Sequence, residues 1–195
     1  RVHAINLKGP MLTARAVVGF FPGVSEGDDI VVLEAPGGPE RLRIPQLRQQ
    51  GEHREGVAHK SLADFVAPSD SGRTDHLGAF AVTAGIGLDE KVAEFRAALD
   101  DYSAILLEAL ADRLAEAFAE RLHELVRTDL WGYAPDETLD ADGLLAERYR
   151  GIRPAPGYPA CPEHTAKQAL WELLDVDATI GARLTESMAM WPSAS

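Results

Sequence analysis

Cysteine is almost absent: Cys161 stands alone among 195 residues and cannot close an internal disulfide, so packing and hydrogen bonding must hold the fold. Basic residues are scarce as well. Nineteen Lys plus Arg against thirty-one Asp plus Glu give a formal net charge of −12, which repels polyanions and argues against nucleic acid or an anionic membrane as main partner. No apolar run approaches the roughly 20 residues that span a bilayer, and no charged-then-apolar secretory start opens the chain. A soluble protein of a reducing compartment, the cytoplasm, is expected. Nucleophile motifs are missing too. Ser61, Ser103 and Ser187 lack any Gly-x-Ser-x-Gly setting, and the Cys-x-x-His pair of Cys161 and His164 has no second closely spaced pair to complete a zinc site. No metal is expected; a metal-dependent enzyme would have to rely on Cys161 and His164. What is present is a 46% hydrophobic content, enough for the core of one compact domain.

Proline is not scarce, and its distribution is uneven. Four of the twelve prolines fall between Gly151 and His164, in the run Gly151-Ile152-Arg153-Pro154-Ala155-Pro156-Gly157-Tyr158-Pro159-Ala160-Cys161-Pro162-Glu163-His164. Each proline fixes φ and removes a backbone donor, so the segment is extended, stiff and rich in carbonyl acceptors. Arg153 is its only strong cation, Gly157 can take a positive φ, and Tyr158 offers an aromatic face with a polar tip. Such a loop suits a small zwitterionic, aromatic ligand, because arginine holds a carboxylate through two parallel hydrogen bonds. The plainer alternative is a proline-rich connector between two helices.

Around this loop the chain reads as α+β: an antiparallel twisted sheet with long helices in a single domain. Residues 1–14 carry no clear period and receive no assignment. Ala16 to Pro22 reads as a buried strand, and Asp28 to Glu34 with Glu40 to Ile44 as a hairpin across Ala35-Pro36-Gly37-Gly38-Pro39. Ser61 to Pro68 is a short apolar stretch. Gly78 to Gly87 is a strand entering a Gly-x-Gly turn; Glu90 stands where a dinucleotide fingerprint needs its third glycine, so the turn is structural. A helical pattern then runs from Asp89 to Trp131, with a break expected near Asp100-Asp101. Its apolar stripe is Val92, Phe95, Leu99, Tyr102, Leu106, Leu110, Leu114, Phe118, Leu122 and Leu125. Opposite lie Asp112, Glu116, Glu120 and His123, read as a solvated acidic edge. Asp140 caps a helix over Ala141 to Arg150, with Leu144, Leu145 and Tyr149 inward and Gly151 as its stop. Pro162 opens a further helix to residue 175, and Leu184 to Pro192 is a strand or a core-filling tail.

The residues best able to hold a ligand are therefore Arg153 for a carboxylate, Glu147 and Glu116 for an ammonium, and Tyr158 for a cation or heterocycle.

These segments also carry a family resemblance. Arg153 to His164, with Ala111-Asp112-Arg113-Leu114-Ala115-Glu116-Ala117-Phe118-Ala119-Glu120, Trp131-Gly132-Tyr133-Ala134-Pro135, Leu62 to Pro68 and Leu184-Thr185-Glu186-Ser187, closely resembles the activation domain of cobalamin-dependent methionine synthase, a methyltransferase acting between 5-methyltetrahydrofolate and homocysteine. The resemblance covers roughly residues 12–195. It implies that S-adenosylmethionine binds through an Arg-x-x-x-Gly-Tyr motif, here Arg153, Gly157 and Tyr158, with Pro154, Ala155 and Pro156 meeting the nucleoside and Glu116 and Glu147 lining the site. It implies no side-chain catalyst. Its implied role is reactivation: after the corrin cobalt is oxidised, an electron from a flavodoxin-type donor and a methyl group from S-adenosylmethionine restore it, the cobalamin being bound by another module of the same enzyme. Residues 1–11 do not resemble the family's N-terminal helical segment, and the aromatic strand expected after Ser195 is missing, so the domain reads as trimmed at both ends. A non-enzymatic docking domain for a cobalamin or flavodoxin-type partner is the alternative.

Overall fold

A computed structural model describes residues 2–8, 13–52 and 56–192. Gly9-Pro10 and the chain end at Ser195 lie outside them. Strand β2 (Thr13–Glu26) is the spine. On one side it pairs along most of its length with β5 (Asp75–Ile86); on the other its first half pairs with β1 (Val2–Lys8) and its second half with β3 (Asp29–Leu33), all antiparallel. The β3 strand forms a hairpin with β4 (Glu40–Pro45), which completes a five-stranded sheet. The expected hairpin and buried strand are thus present. Strand β1 forms where the residues carry no clear period, because its backbone pairs with Thr13 to Gly19 while most of its described side chains stay exposed. A strand exposed on its side chains leaves little alternation to read.

Both faces of β2 are covered, which explains its nearly unbroken apolar run. Val17 and Phe21 pack with Ile30, Val32 and Cys161 against Leu173 and Leu174 of α4 (Ala166–Leu174) and Val176 and Ile180 of α5 (Val176–Ile180). Ala14, Ala16 and Val18 pack with Val82 and Ala84 against Ala115, Phe118, Ala119 and Leu122 of α2 (Asp101–Leu125). The sheet is therefore the middle of three layers. Each fully buried Val, Leu or Ile in these layers contributes about 1.5–3 kcal/mol of burial.

Gly87, at φ +83°, turns β5 into α1 (Leu88–Ala97), and Asp100 caps α2 by accepting from the Ser103 N–H, so the expected helix break falls between Ala98 and Asp100. The stripe holds at its ends, where Val92, Phe118 and Leu122 are buried, and is corrected in its middle. Leu99 is 91% exposed, and Tyr102, Leu106 and Leu110 are exposed too, while the row that packs on α1 is Ala104, Leu107 and Ala111. Helix α2 lies close to its neighbours, and small side chains permit that approach. The Leu row has the same period but points outward.

After α2 the helix widens into a π turn, Val126–Leu130, and Trp131 packs on Phe20 with ring centroids 5.2 Å apart. Helix α3 is shorter than expected, Ala141–Leu145, capped by Asp140; the left-handed residue at its end is Glu147 (φ +51°) as well as Gly151 (φ +94°). Leu145 is exposed, not inward. Helix α4 begins at Ala166 instead of Pro162 because Cys161 is bridged back to Tyr158. The chain's described end is a small hairpin, β6 (Arg183–Leu184) with β7 (Met190–Trp191), and the buried Pro192 carbonyl accepts from Thr83 Oγ1. No helix among the described residues is long and apolar enough to cross a membrane.

Candidate functional site

The proline loop lies against the C-terminal half of α2, held by contacts at both of its ends. At its start Arg150 donates from Nη1 to the Tyr133 carbonyl (3.1 Å), its N–H donates to Glu137 Oε2 (3.3 Å), and its carbonyl accepts from Tyr133 Oη (3.3 Å). At its far side the Tyr158 N–H donates to Ala155 O, Cys161 N–H to Tyr158 O, and Gly157 N–H to Cys161 O (2.8 Å), a tight reversal. Gly157 sits at φ +102°, and a Cβ there would meet His164 Cε1 at 2.4 Å, so conformation and space both demand glycine. Tyr158 is 65% exposed, its ring turned to solvent at the tip of this reversal.

Arg153 donates from Nη2 to Glu120 Oε2 at 2.6 Å across 33 residues of chain. This corrects the reading of Glu120 as part of a solvated edge. The contact is single-point: Arg153 Nε and Glu120 Oε1 are both buried and have no hydrogen-bond partner among the described residues. Beneath the pair lies a second correction. His123, read as solvated, is buried, and Nδ1 accepts from Arg127 Nη1 at 2.7 Å. A guanidinium only donates, so this nitrogen carries no proton and the ring is neutral. Burial, then the charges of Arg127 and Arg153, push the His123 pKa down from 6.5 to about 4. Arg127 is fully buried; its Nε donates to Glu137 Oε1 (2.7 Å), and the Tyr149 ring lies 4.5 Å from its guanidinium carbon. Nη2 is 2.6 Å from the same carboxylate oxygen but out of line for a hydrogen bond. Burial works against ionised Glu137, yet the donors Arg127 and Arg150 hold its pKa below the ordinary carboxylate range.

The predicted site residues are placed unevenly. Arg153, Pro154, Ala155, Pro156, Gly157 and Tyr158 form one continuous loop, with Arg153 at its base and Tyr158 at its tip. Glu116 is exposed on α2 one turn before Glu120 and pairs with Arg113 (2.9 Å), and Glu147 is exposed at the end of α3. Neither bonds to Arg153 among the described residues. Glu120, His123, Arg127, Glu137 and Tyr149 were not singled out as a group by sequence. The available signal was a charged Arg127 four residues after His123, in the same helical phase as the buried Ala119.

The other chemical candidates recede. Cys161 is buried, and burial and the nearby Glu163 raise its thiol pKa, while His164 packs on Gly157. No group of three His, Cys, Asp or Glu among the described residues has metal-binding placement. A groove of about 480 Å³ runs between β4 and α4, lined by Leu42, Gln46, Leu47, Gln168 and Glu172, but residues 153–158 take no part in it.

Comparison with known proteins gives the family. The family model described as vitamin B12 dependent methionine synthase, activation domain, matches residues 4–195. A crystal structure of the MetH reactivation domain bound to AdoHcy is similar at 53% sequence identity and a TM-score of 0.88, over 94% of this chain and 57% of that one. The chain thus spans little more than half the length of that solved structure. The α+β architecture is the one seen there.

Proposed function

The chain belongs to the vitamin B12 dependent methionine synthase activation domain family, and from that membership we propose that it is an S-adenosylmethionine-binding reactivation module of a cobalamin-dependent methionine synthase. The observation that carries this reading is Arg153, whose guanidinium keeps a buried, unpartnered Nε at the base of a stiff loop that presents Tyr158 to solvent. The similar domain crystallised with AdoHcy holds the demethylated form of that ligand.

The residues fit such a ligand. In this reading Arg153 supplies the donor for the methionyl carboxylate, and the ammonium is assigned to the exposed carboxylates of Glu116 and Glu147. Pro154 and Pro156 offer backbone carbonyls to a nucleoside amine, Ala155 already accepting from the Tyr158 N–H. The Tyr158 ring gives an exposed face for a sulfonium or heterocycle. When bound, S-adenosylmethionine supplies a methyl group on a sulfonium whose leaving group is a neutral thioether, and cobalamin on another module supplies the metal that receives it. No proton need move, so the chain's residues are asked to bind and orient, not to act as base or nucleophile.

The partners carried over with this reading are the cobalamin-binding module of the same enzyme and a flavodoxin-type electron donor, in the cytoplasm. The enzyme's overall reaction would be methyl transfer from 5-methyltetrahydrofolate to homocysteine, in methionine biosynthesis. The exposed row Tyr102, Ile105, Leu106 and Leu110 of α2 favours a docking role as well, since an exposed apolar helix face marks an interaction surface. Docking alone would bring no small-molecule binding.

Titration calorimetry with AdoHcy tests the reading. One-to-one binding is expected, weakened about tenfold or more by Arg153→Ala. An unchanged affinity in that variant, or no heat in the parent protein, rejects it.

A further inference from the structure

Strand β4 ends the sheet, and its outer edge is unpaired among the described residues. The Gln46 N–H donates to the Asp28 carbonyl at 3.2 Å, and Ile44 stands opposite Ile30 in the same register. Antiparallel bonding alternates along a strand, so Ile44 and Gln46 bond inward to β3, while the Arg43 N–H and carbonyl and the Pro45 carbonyl point outward. None of these three groups meets a partner among the described residues. Beside that edge runs the groove of about 480 Å³ whose other wall is α4, with Leu42, Ile44 and Ala169 in its apolar lining. Gln46 lines it too. Its side chain is buried (8% exposed), Oε1 has no partner among the described residues, and Nε2 reaches the Ile44 carbonyl at a long 3.4 Å. An unmet acceptor this deep calls for a donor, and the soft terminal torsion of a glutamine can turn it toward one.

The charges around the groove favour a cation. Arg43 is already held by Glu26 (2.8 Å), Asp29 (3.3 Å) and Glu40 (2.7 Å), so it adds no free positive charge. On the α4 side Glu172 is exposed with no ion-pair partner among the described residues, and the exposed Glu163 accepts from the nearby Thr165 N–H (3.0 Å). An extended basic segment answers all of these groups. Its backbone donates to the Arg43 and Pro45 carbonyls, about 6.6 Å or two strand residues apart, and accepts from the Arg43 N–H. Alternate side chains then enter the groove, apolar ones against Leu42 and Ala169 and a cationic one toward Glu172. Pro45 has no N–H to offer, so the pairing ends there and the segment is short. A second copy of this chain is disfavoured, because an acidic edge on a chain of net charge −12 repels itself.

We propose that the outer edge of β4 and the groove beside α4 form a docking site for a short strand of another polypeptide, one that alternates apolar and basic residues. The β4 backbone selects an extended chain, and Glu172 selects its cation. The site is separate from the Arg153–Tyr158 loop and does not rest on the S-adenosylmethionine reading.

The probe is an acetylated, amidated heptapeptide of alternating lysine and valine, titrated into isotope-labelled protein and followed by amide NMR; its twin carries glutamate in place of lysine. The lysine peptide should bind saturably with a Kd of about 1 mM or tighter, shift amides of residues 41–47 and 163–172, and slow hydrogen exchange at the Arg43 N–H. The glutamate peptide should not bind. Glu172→Lys, an exposed position whose fold circular dichroism checks, should weaken the lysine peptide about threefold or more. Three results would each overturn the proposal: no saturable binding of the lysine peptide, equal binding of the two peptides, or binding that leaves exchange at the Arg43 N–H unchanged. The last would show that charge alone holds the peptide, without strand pairing.

Discussion

His123 Nδ1 accepts a hydrogen bond from Arg127 Nη1 at 2.7 Å, and so a buried imidazole is fixed in its neutral form beneath the Arg153 loop. This neutrality makes stability depend on pH. Burial and two guanidinium charges depress the folded pKa from 6.5 to about 4, so below 6.5 the unfolded chain takes up a proton that the folded chain refuses. The contribution is complete above about pH 6.5 and is lost progressively as pH falls toward 4, up to on the order of 3 kcal/mol. Urea unfolding at pH 7.5 and pH 5 should show the loss before most carboxylates begin to titrate. In His123→Gln, which keeps an acceptor for Arg127, the difference between the two pH values should shrink.

Glu137 is the second support of the same network, accepting from Arg127 Nε and from the Arg150 N–H. Removing one partner of a buried ion pair leaves the other charge unpaired, at a cost of about 3–5 kcal/mol. Glu137→Ala should therefore destabilise strongly and also loosen the loop that begins at Gly151. Arg127→Met combined with Glu137→Leu removes both charges and should recover much of the stability, as read from thermal melts, though not AdoHcy binding if the loop needs Arg150 in place.

The helix α2 shows how far the sequence could be read. Its period and the break near Asp100 were legible, because apolar spacing of three and four is a local signal and one unbroken rod from Asp89 to Trp131 is too long for a small domain. Which of two faces turned inward was not. The rows Tyr102-Leu106-Leu110 and Ala104-Leu107-Ala111 have the same period, and only the packing against α1 selects the alanine row. The site divides likewise. Arg153 to Tyr158 stood out because proline, glycine and a lone cation are adjacent in sequence, whereas Glu120 reaches Arg153 across 33 residues and nothing local marks that pairing. Leu106→Ala should accordingly change stability by less than about 0.5 kcal/mol, while Ala111→Leu should cost about 1–3 kcal/mol through overpacking. Greater destabilisation by Leu106→Ala than by Ala111→Leu would place the core on the wrong face.

Gly157 is held by two independent constraints, its φ of +102° and the His164 ring in the space a Cβ would need, and substitution can separate them. Gly157→Ala meets both. Backbone strain of this kind costs about 1–3 kcal/mol, and the added methyl must also displace an imidazole that would stand 2.4 Å away. The reversal that turns Tyr158 outward depends on the Gly157 N–H reaching the Cys161 carbonyl, so the variant should lose AdoHcy affinity more than it loses global stability. Adding His164→Ala relieves the collision but leaves the positive φ, and should restore only part of the affinity. Calorimetry on the parent, the single variants and the double variant separates the two contributions. Full recovery in the double variant would mean that crowding alone matters, and no recovery would mean that the backbone conformation does.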